Sequence, residues 1–238
     1  MSEPRYAEWM TRGRNHQFAR RPLDAMQCFR RASREWPRGI EARFHLGEVL
    51  WQLGRLDEAL LSWQDAARLD AQFLPASQAL SEAALGMGDH ATAKDAARRV
   101  LERQPANGRA LAAEAIARFA VEGREAAAGL DAALRSGASW LKVPTLGGSL
   151  AMALERVPVP ALVGEIFGAA RAFAPDSLHP RLHALLCEHA AAKGDDTWCA
   201  AMATRPLAVD DLADATQRGL PRLPGHTRST EHPVTRIL

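Results

Sequence analysis

Four side chains near the C-terminal end carry the chemistry of a metal or thiol site: His183, Cys187, His189 and Cys199. His183 and Cys187 stand four apart. On a helix that spacing puts both on one face, where imidazole and thiolate can share an ion. Cys187 and Cys199 also fall on rows of small residues, and a buried free cysteine acts as a small apolar side chain. They therefore read as packing residues, and no metal is expected. A second candidate is Leu146-Gly147-Gly148-Ser149, which follows Pro144 and would begin a helix able to cradle an anion. No strand precedes it and no lysine–threonine pair is near, so a phosphate site is not expected. His179 and His226 have no recognisable partner for general acid–base work. The chain lacks the G-x-x-x-x-G-K-[ST], G-x-G-x-x-G and G-x-S-x-G patterns of nucleotide and acyl-transfer sites. Neither catalysis nor a cofactor is expected.

The elements that would carry these residues follow a ladder. Ala25, Ala59, Ala93 and Ala127 recur every 34 residues, as do Gly13, Gly47, Ser81 and Ala115. Ala32, Ala66, Val100 and Leu134 form a third row in phase. A fixed period in this range marks stacked repeats, each burying its apolar face on its neighbours. Apolar residues make up 47 % of the chain and β-branched runs are scarce. Those features favour helices over sheets.

Net charge is +2, but it is unevenly spread. Residues 1–40 hold nine arginines against four carboxylates, a net +5, and 41–107 hold seven basic against ten acidic residues, a net −3. Aromatic residues do not interleave with the arginines, so nucleic acid is not the expected partner; a solvated arginine-rich surface is. The start has no signal-like segment, and no run approaches the ~20 apolar residues of a membrane span. Three cysteines make an odd count without a paired framework, so a reduced, cytoplasmic protein is expected.

The second unit, 40–73, shows the local logic. Phe44, Leu46, Leu50 and Leu53 form one helical stripe, and Gly54 ends the helix as a left-handed cap. Asp57 and Glu58 favour the start of the next helix, whose buried stripe is Leu56, Leu60, Trp63 and Ala67. Gly47 and Ala59 allow the two helices to cross closely, while Trp63 and Ala66 are expected to face the following unit.

Leu46, Gly47, Leu50, Ala59, Trp63 and Ala66 together resemble a tetratricopeptide repeat, of the kind found in bacterial scaffolds. The first unit, 6–39, matches through Trp9, Gly13, Ala25, Phe29, Ala32 and Pro37 but departs at Arg12 and His16. The third, 74–107, has Ala97 where an aromatic is usual. The fourth, 108–141, is degenerate at Glu114, Arg118 and Asp131 and needs a one-residue shift around Gly123. Two further units follow at a 36-residue step, through Ala151 and Cys187 and through Val163 and Cys199. The resemblance implies an all-α, right-handed superhelix of about six helical hairpins. The expected divisions are a repeat array over 1–141, divergent hairpins over 142–206, a capping helix over 207–218 and a tail or linker over 219–238.

The resemblance also implies a concave groove, lined by the first helix of each unit, that binds another protein as an extended peptide or helix. The groove positions are Arg14 and Gln17; Phe44, Glu48, Trp51 and Gln52; and Gln78, Glu82 and Leu85. Trp51 is either the anchor, since a large aromatic gives much contact area at low entropy cost, or a residue that packs against the adjacent hairpin. The expected function is that of a non-catalytic scaffold. The alternative is an accessory region of a glycosyltransferase, sulfotransferase or hydroxylase that positions its protein substrate. Self-association is compatible with either.

Overall fold

The computed structural model describes residues 3–195, with the side chains of Glu3, Pro4 and Pro175 left aside. Eleven α-helices and no strand occur among the described residues. They are α1 (Glu3–Phe18), α2 (Pro22–Glu35), α3 (Ile40–Gln52), α4 (Leu56–Leu69), α5 (Leu74–Gly86), α6 (His90–Leu101), α7 (Gly108–Glu122), α8 (Ala127–Arg135), α9 (Pro144–Arg156), α10 (Pro160–Ala170) and α11 (Pro180–Ala192). Consecutive helices from α1 to α8 pack as antiparallel pairs stacked in order, so the chain is an all-α solenoid. The turns use the chemistry expected of them. Gly54 and Gly88 take positive φ at the ends of α3 and α5, and the Asp89 side chain caps α6 by accepting from the Thr92 N–H at 3.0 Å.

The small-residue rows are the crossing points. Ala25, Ala59 and Ala93 are fully buried, as are Ala32, Ala66 and Val100. Gly13 and Gly47 are required by an aromatic from the second helix of their own unit. A Cβ on Gly13 would sit 2.5 Å from the Phe29 ring, and one on Gly47 2.5 Å from Trp63 Nε1. Trp63 therefore lies across its own hairpin, and it also shares a buried cluster with Leu80 and Ala83 of the following unit. Its indole N–H donates to the Phe44 carbonyl at 3.1 Å. Where the aromatic is replaced by Ala97, the corresponding small residue is Ser81 instead of glycine.

The fourth unit slips by one residue. Ala126, Leu130 and Ala133 are buried, while Ala127 and Leu134 are only half-buried. Gly123, at φ 69°, ends α7 and opens a 3₁₀ turn over Gly123–Ala126 that absorbs the shift.

The outer face of α1 and α2 carries no neighbouring unit among the described residues, and charge covers it. The Trp9 ring lies between the guanidinium groups of Arg12 and Arg31, at 5.0 and 4.7 Å from its centroid, and Arg12 also pairs with Glu8. Arg12 and His16 depart from the usual apolar pattern on this face. Here they belong to a polar outer surface with Arg31.

Beyond α8 the stacking changes. α9 packs on α5 and α7, across the face formed by the first helices of units three and four, and α11 packs behind it. Leu146, Leu150 and Leu154 supply its buried stripe, which joins Leu85, Ile116 and Phe119 in one core. Gly147 and Gly148 let α11 approach. A Cβ on Gly147 would stand 3.0 Å from the Leu141 carbonyl oxygen, and one on Gly148 3.0 Å from His179 Nε2. The Gly147 N–H already donates to the Val143 carbonyl inside the helix. This glycine pair serves the packing of α11. The helix expected over 207–218 and the tail over 219–238, with His226, lie outside the described residues.

Candidate interaction groove

Among the first helices, α5 and α7 are in contact, and the residues expected to line a groove differ in exposure from unit to unit. Arg14 and Gln52 are exposed; Gln17, Phe44, Glu48, Trp51 and Gln78 are half-buried. Glu82 and Leu85 are buried, at 8 % and 2 % exposure. Of these positions, those in units one and two are exposed or half-buried, whereas Glu82 and Leu85 in unit three are buried.

In the open half, Trp51 packs its ring 5.9 Å from that of Trp63, which Gly47 seats in turn. Glu48 Oε2 lies 2.7 Å from His45 Nδ1, and His45 stacks on Phe29 at 5.3 Å. Phe44 meets Phe73 edge-on at 5.3 Å. These contacts fix the rotamers of Glu48, Phe44 and Trp51 before any partner arrives, which lowers the ordering cost of binding.

At the boundary, Gln78 Nε2 donates to Glu82 Oε1 at 2.6 Å and Arg109 donates to Glu82 Oε2. Both carboxylate oxygens are held, so a buried charge is satisfied and α5 is tied to α7. Beyond it the groove positions of the fourth unit are Ala112, Ile116 and Phe119, all fully buried. α9 covers them. A signal for this existed in the sequence: all three are apolar, whereas five of the nine equivalent positions in units one to three (Arg14, Gln17, Glu48, Gln78 and Glu82) are polar.

Elsewhere two small cavities open on the surface. One of about 210 Å³, beside Trp9, His16, Cys28 and Arg31, lies on the charged outer face. The other, of about 170 Å³, lies among Arg68, Thr92, Asp95 and Arg99. No group of three or more His, Cys, Asp or Glu side chains gathers in metal-binding geometry among the described residues. Cys187 is disulfide-bonded, which corrects its reading as a free packing cysteine and removes cysteine usage as an argument for a reducing compartment. Cys199 lies outside the described residues. Burial lowers the basicity of His179, His183 and His90, with help from Arg181 at His179 and from Arg156 at His90. The His179 Nδ1 accepts the Arg181 N–H at the start of α11, and its Nε2 is buried without a partner. Burial raises the Cys28 thiol, against the opposing pull of Arg31 and Arg12. No described helix is long and apolar enough to cross a membrane.

Stacked antiparallel helix pairs, glycine or small residues at each crossing and a charged outer face define an α-solenoid of helix–turn–helix repeats. Residues 10–72 match the tetratricopeptide repeat family model, and this part of the chain is a tetratricopeptide repeat array. Solved structures of similar fold include PilW, described as a widely conserved type IV pilus biogenesis factor. It has a TM-score of 0.61 at 15 % identity, over 90 % of this chain and 99 % of that one. MamA from Desulfovibrio magneticus RS-1 has a TM-score of 0.53 at 15 % identity, over 82 % and 96 %. A tetratricopeptide repeat protein from Thermus thermophilus has 0.52 at 18 % identity, over 79 % and 98 %. At these identities the likeness is one of fold. No curated protein sequence matches the chain.

Proposed function

We propose that the protein is a non-catalytic interaction scaffold that holds a segment of another protein on the open half of its groove, over units one and two. The observation that carries this reading is the contrast along one face. α9 closes the groove over units three and four, whereas Trp51, Glu48 and Gln52 remain accessible one unit away. A half-exposed tryptophan on a rigid support, with Arg14, Gln17 and Glu48 around it, has the make-up of a binding hot spot with a polar rim. The likeness to tetratricopeptide repeats favours a protein over other ligands.

The test is affinity capture of the full chain from its native source, with mass spectrometry to identify stoichiometric partners. The same capture is run with Trp51→Ala combined with Glu48→Ala. Loss of a stoichiometric partner in the double variant, with folding intact by circular dichroism, is the expected result. A partner retained at wild-type stoichiometry would place the interaction elsewhere and sink the reading.

A further inference from the structure

We infer that the turn between α1 and α2 docks the protein on an anionic lipid surface. The backbone of the turn carries the first observation. In units one, two and three the N–H groups of Arg20, Gly54 and Gly88 donate to the carbonyls three residues back, and those of Arg21, Arg55 and Asp89 to the carbonyls five back. The three turns thus share one conformation, a left-handed cap at the end of the first helix. Units two and three place glycine there, at φ 72° and 81°, whereas unit one places Arg20 at φ 53°. Arg20 is the only residue other than glycine with positive φ among those described. A Cβ is costly in that conformation. The arginine is held there against local preference, and such outliers cluster where a side chain serves binding.

The neighbours of Arg20 supply the second observation. Phe18, at 88 % exposure, and Leu23, at 60 %, flank it in sequence. The equivalent positions hold Gln52 and Asp57 in unit two, and Gly86 and Ala91 in unit three. Arg20 and Arg21 are exposed, and no ion pair among the described residues engages either. The nearest carboxylate in sequence, Asp24, faces His16 at 3.9 Å. Residues 1–40 carry a net +5, which draws this end of the molecule toward a negative surface. Two bare apolar side chains beside two uncompensated cations match the boundary between acyl chains and anionic headgroups. Phe18 and Leu23 enter the apolar layer, while the guanidinium groups stay at the headgroups and donate to phosphate oxygens. A protein partner fits this turn less well. It would need a preformed pocket for each projecting side chain, whereas a fluid lipid surface accommodates a protrusion anywhere.

The test is co-sedimentation of the full chain with vesicles of phosphatidylcholine alone, and of phosphatidylcholine with about 30 % phosphatidylglycerol. The expected result is binding to the anionic vesicles only, weakening as salt rises from about 50 to 500 mM. Arg20→Gly separates this reading from a merely structural turn. It installs the residue of units two and three, so the variant should melt above wild type while binding about fivefold more weakly. Arg20→Gly combined with Arg21→Gln should lose about 30-fold, and Phe18→Ser about tenfold. Phe18 belongs to none of the buried clusters, so its variant keeps the fold. Trp51→Ala combined with Glu48→Ala should bind vesicles as wild type does, whichever way the groove reading falls. Equal binding to both vesicles, binding to neither, or turn variants that bind as wild type overturn the inference. Polyglutamate bound more tightly than the anionic vesicles, and weakened by both Phe18→Ser and Arg20→Gly, assigns the turn to an acidic protein. A wild-type dimer that Phe18→Ser dissociates assigns it to a second copy, and either result overturns the inference.

Discussion

Gly47→Ala isolates the device that seats the groove aromatics. The added Cβ would lie 2.5 Å from Trp63 Nε1, 2.7 Å from Cδ1 and 2.8 Å from Cε2. These are atoms of a rigid ring only 4 % exposed, so the indole has to leave its position. Overpacking of this kind costs roughly 1–3 kcal/mol. Displacement also breaks the Trp63–Phe44 carbonyl hydrogen bond, worth about 0.5–1.5 kcal/mol. Better helix propensity of alanine returns about 1 kcal/mol. The net is a destabilisation of about 2 kcal/mol, or a fall in Tm of about 4–8 °C for a chain of this size.

Gly168→Ala is the matched control. This glycine is exposed within α10, and a Cβ there meets nothing within 4 Å. The same chemical change should stabilise by about 0.5–1 kcal/mol. Thermal unfolding followed by circular dichroism and tryptophan fluorescence reads both. Because the Trp51 ring stands 5.9 Å from Trp63, Gly47→Ala should also shift the emission spectrum, which Gly168→Ala should not. A Gly47→Ala protein as stable as wild type would refute the account of the crossing.

Three further outcomes follow from other parts of the fold. Leu150→Ala, at a fully buried position in α9, should cost about 2–5 kcal/mol in chemical denaturation. Arg109→Ala leaves the Glu82 carboxylate with Gln78 alone; with Arg109 half-exposed the loss should be about 1–2 kcal/mol. Adding Glu82→Gln to it should restore part of that, since the buried charge is then gone. His179, His183 and His90 all have folded pKa values below their unfolded ones. Their neutral forms favour the fold, so stability is fully present above the unfolded histidine value and falls as pH drops below it. Melting between pH 7.5 and 5 should show this decline, and His179→Asn should flatten it; a Tm independent of pH over this range would contradict the burial argument.

The array from α1 to α7 was legible because each unit repeats the same small-residue crossings, so three in-phase rows reported the fold directly. For Trp63 a row names a buried position without naming its neighbours; the contact with Gly47 shows that the ring also covers its own hairpin. Arg12 and His16 looked like defects in a repeat and are surface charge on an outer face. Repeat numbers give positions along the first helices, yet the burial of Glu82 and Leu85 could not be read from them. That burial depends on where α9 lands, and a ladder extrapolated past Ala127 carries no information about a helix that leaves the stack. Cys187 was read from its row alone, and a disulfide depends on the spatial position of a second sulfur.

The placement of α9 changes what the solenoid can do. An open array presents its whole concave face, and a partner can slide between equivalent units. Here Ala112, Ile116 and Phe119 would be an apolar strip if bare, a liability for association with unrelated chains. Their burial with Leu146, Leu150 and Leu154 in one core makes α9 a permanent part of the fold. Three fully buried leucines contribute about 5–9 kcal/mol of transfer free energy before ordering costs, a gap too large for a weak ligand to open. The covered half therefore acts as a fixed wall with α9 as its end stop. Any segment bound on units one and two meets that stop at Pro144 and Thr145, which restricts its register as well as its length. An open repeat array gains such a restriction only through an element that departs from the repeat.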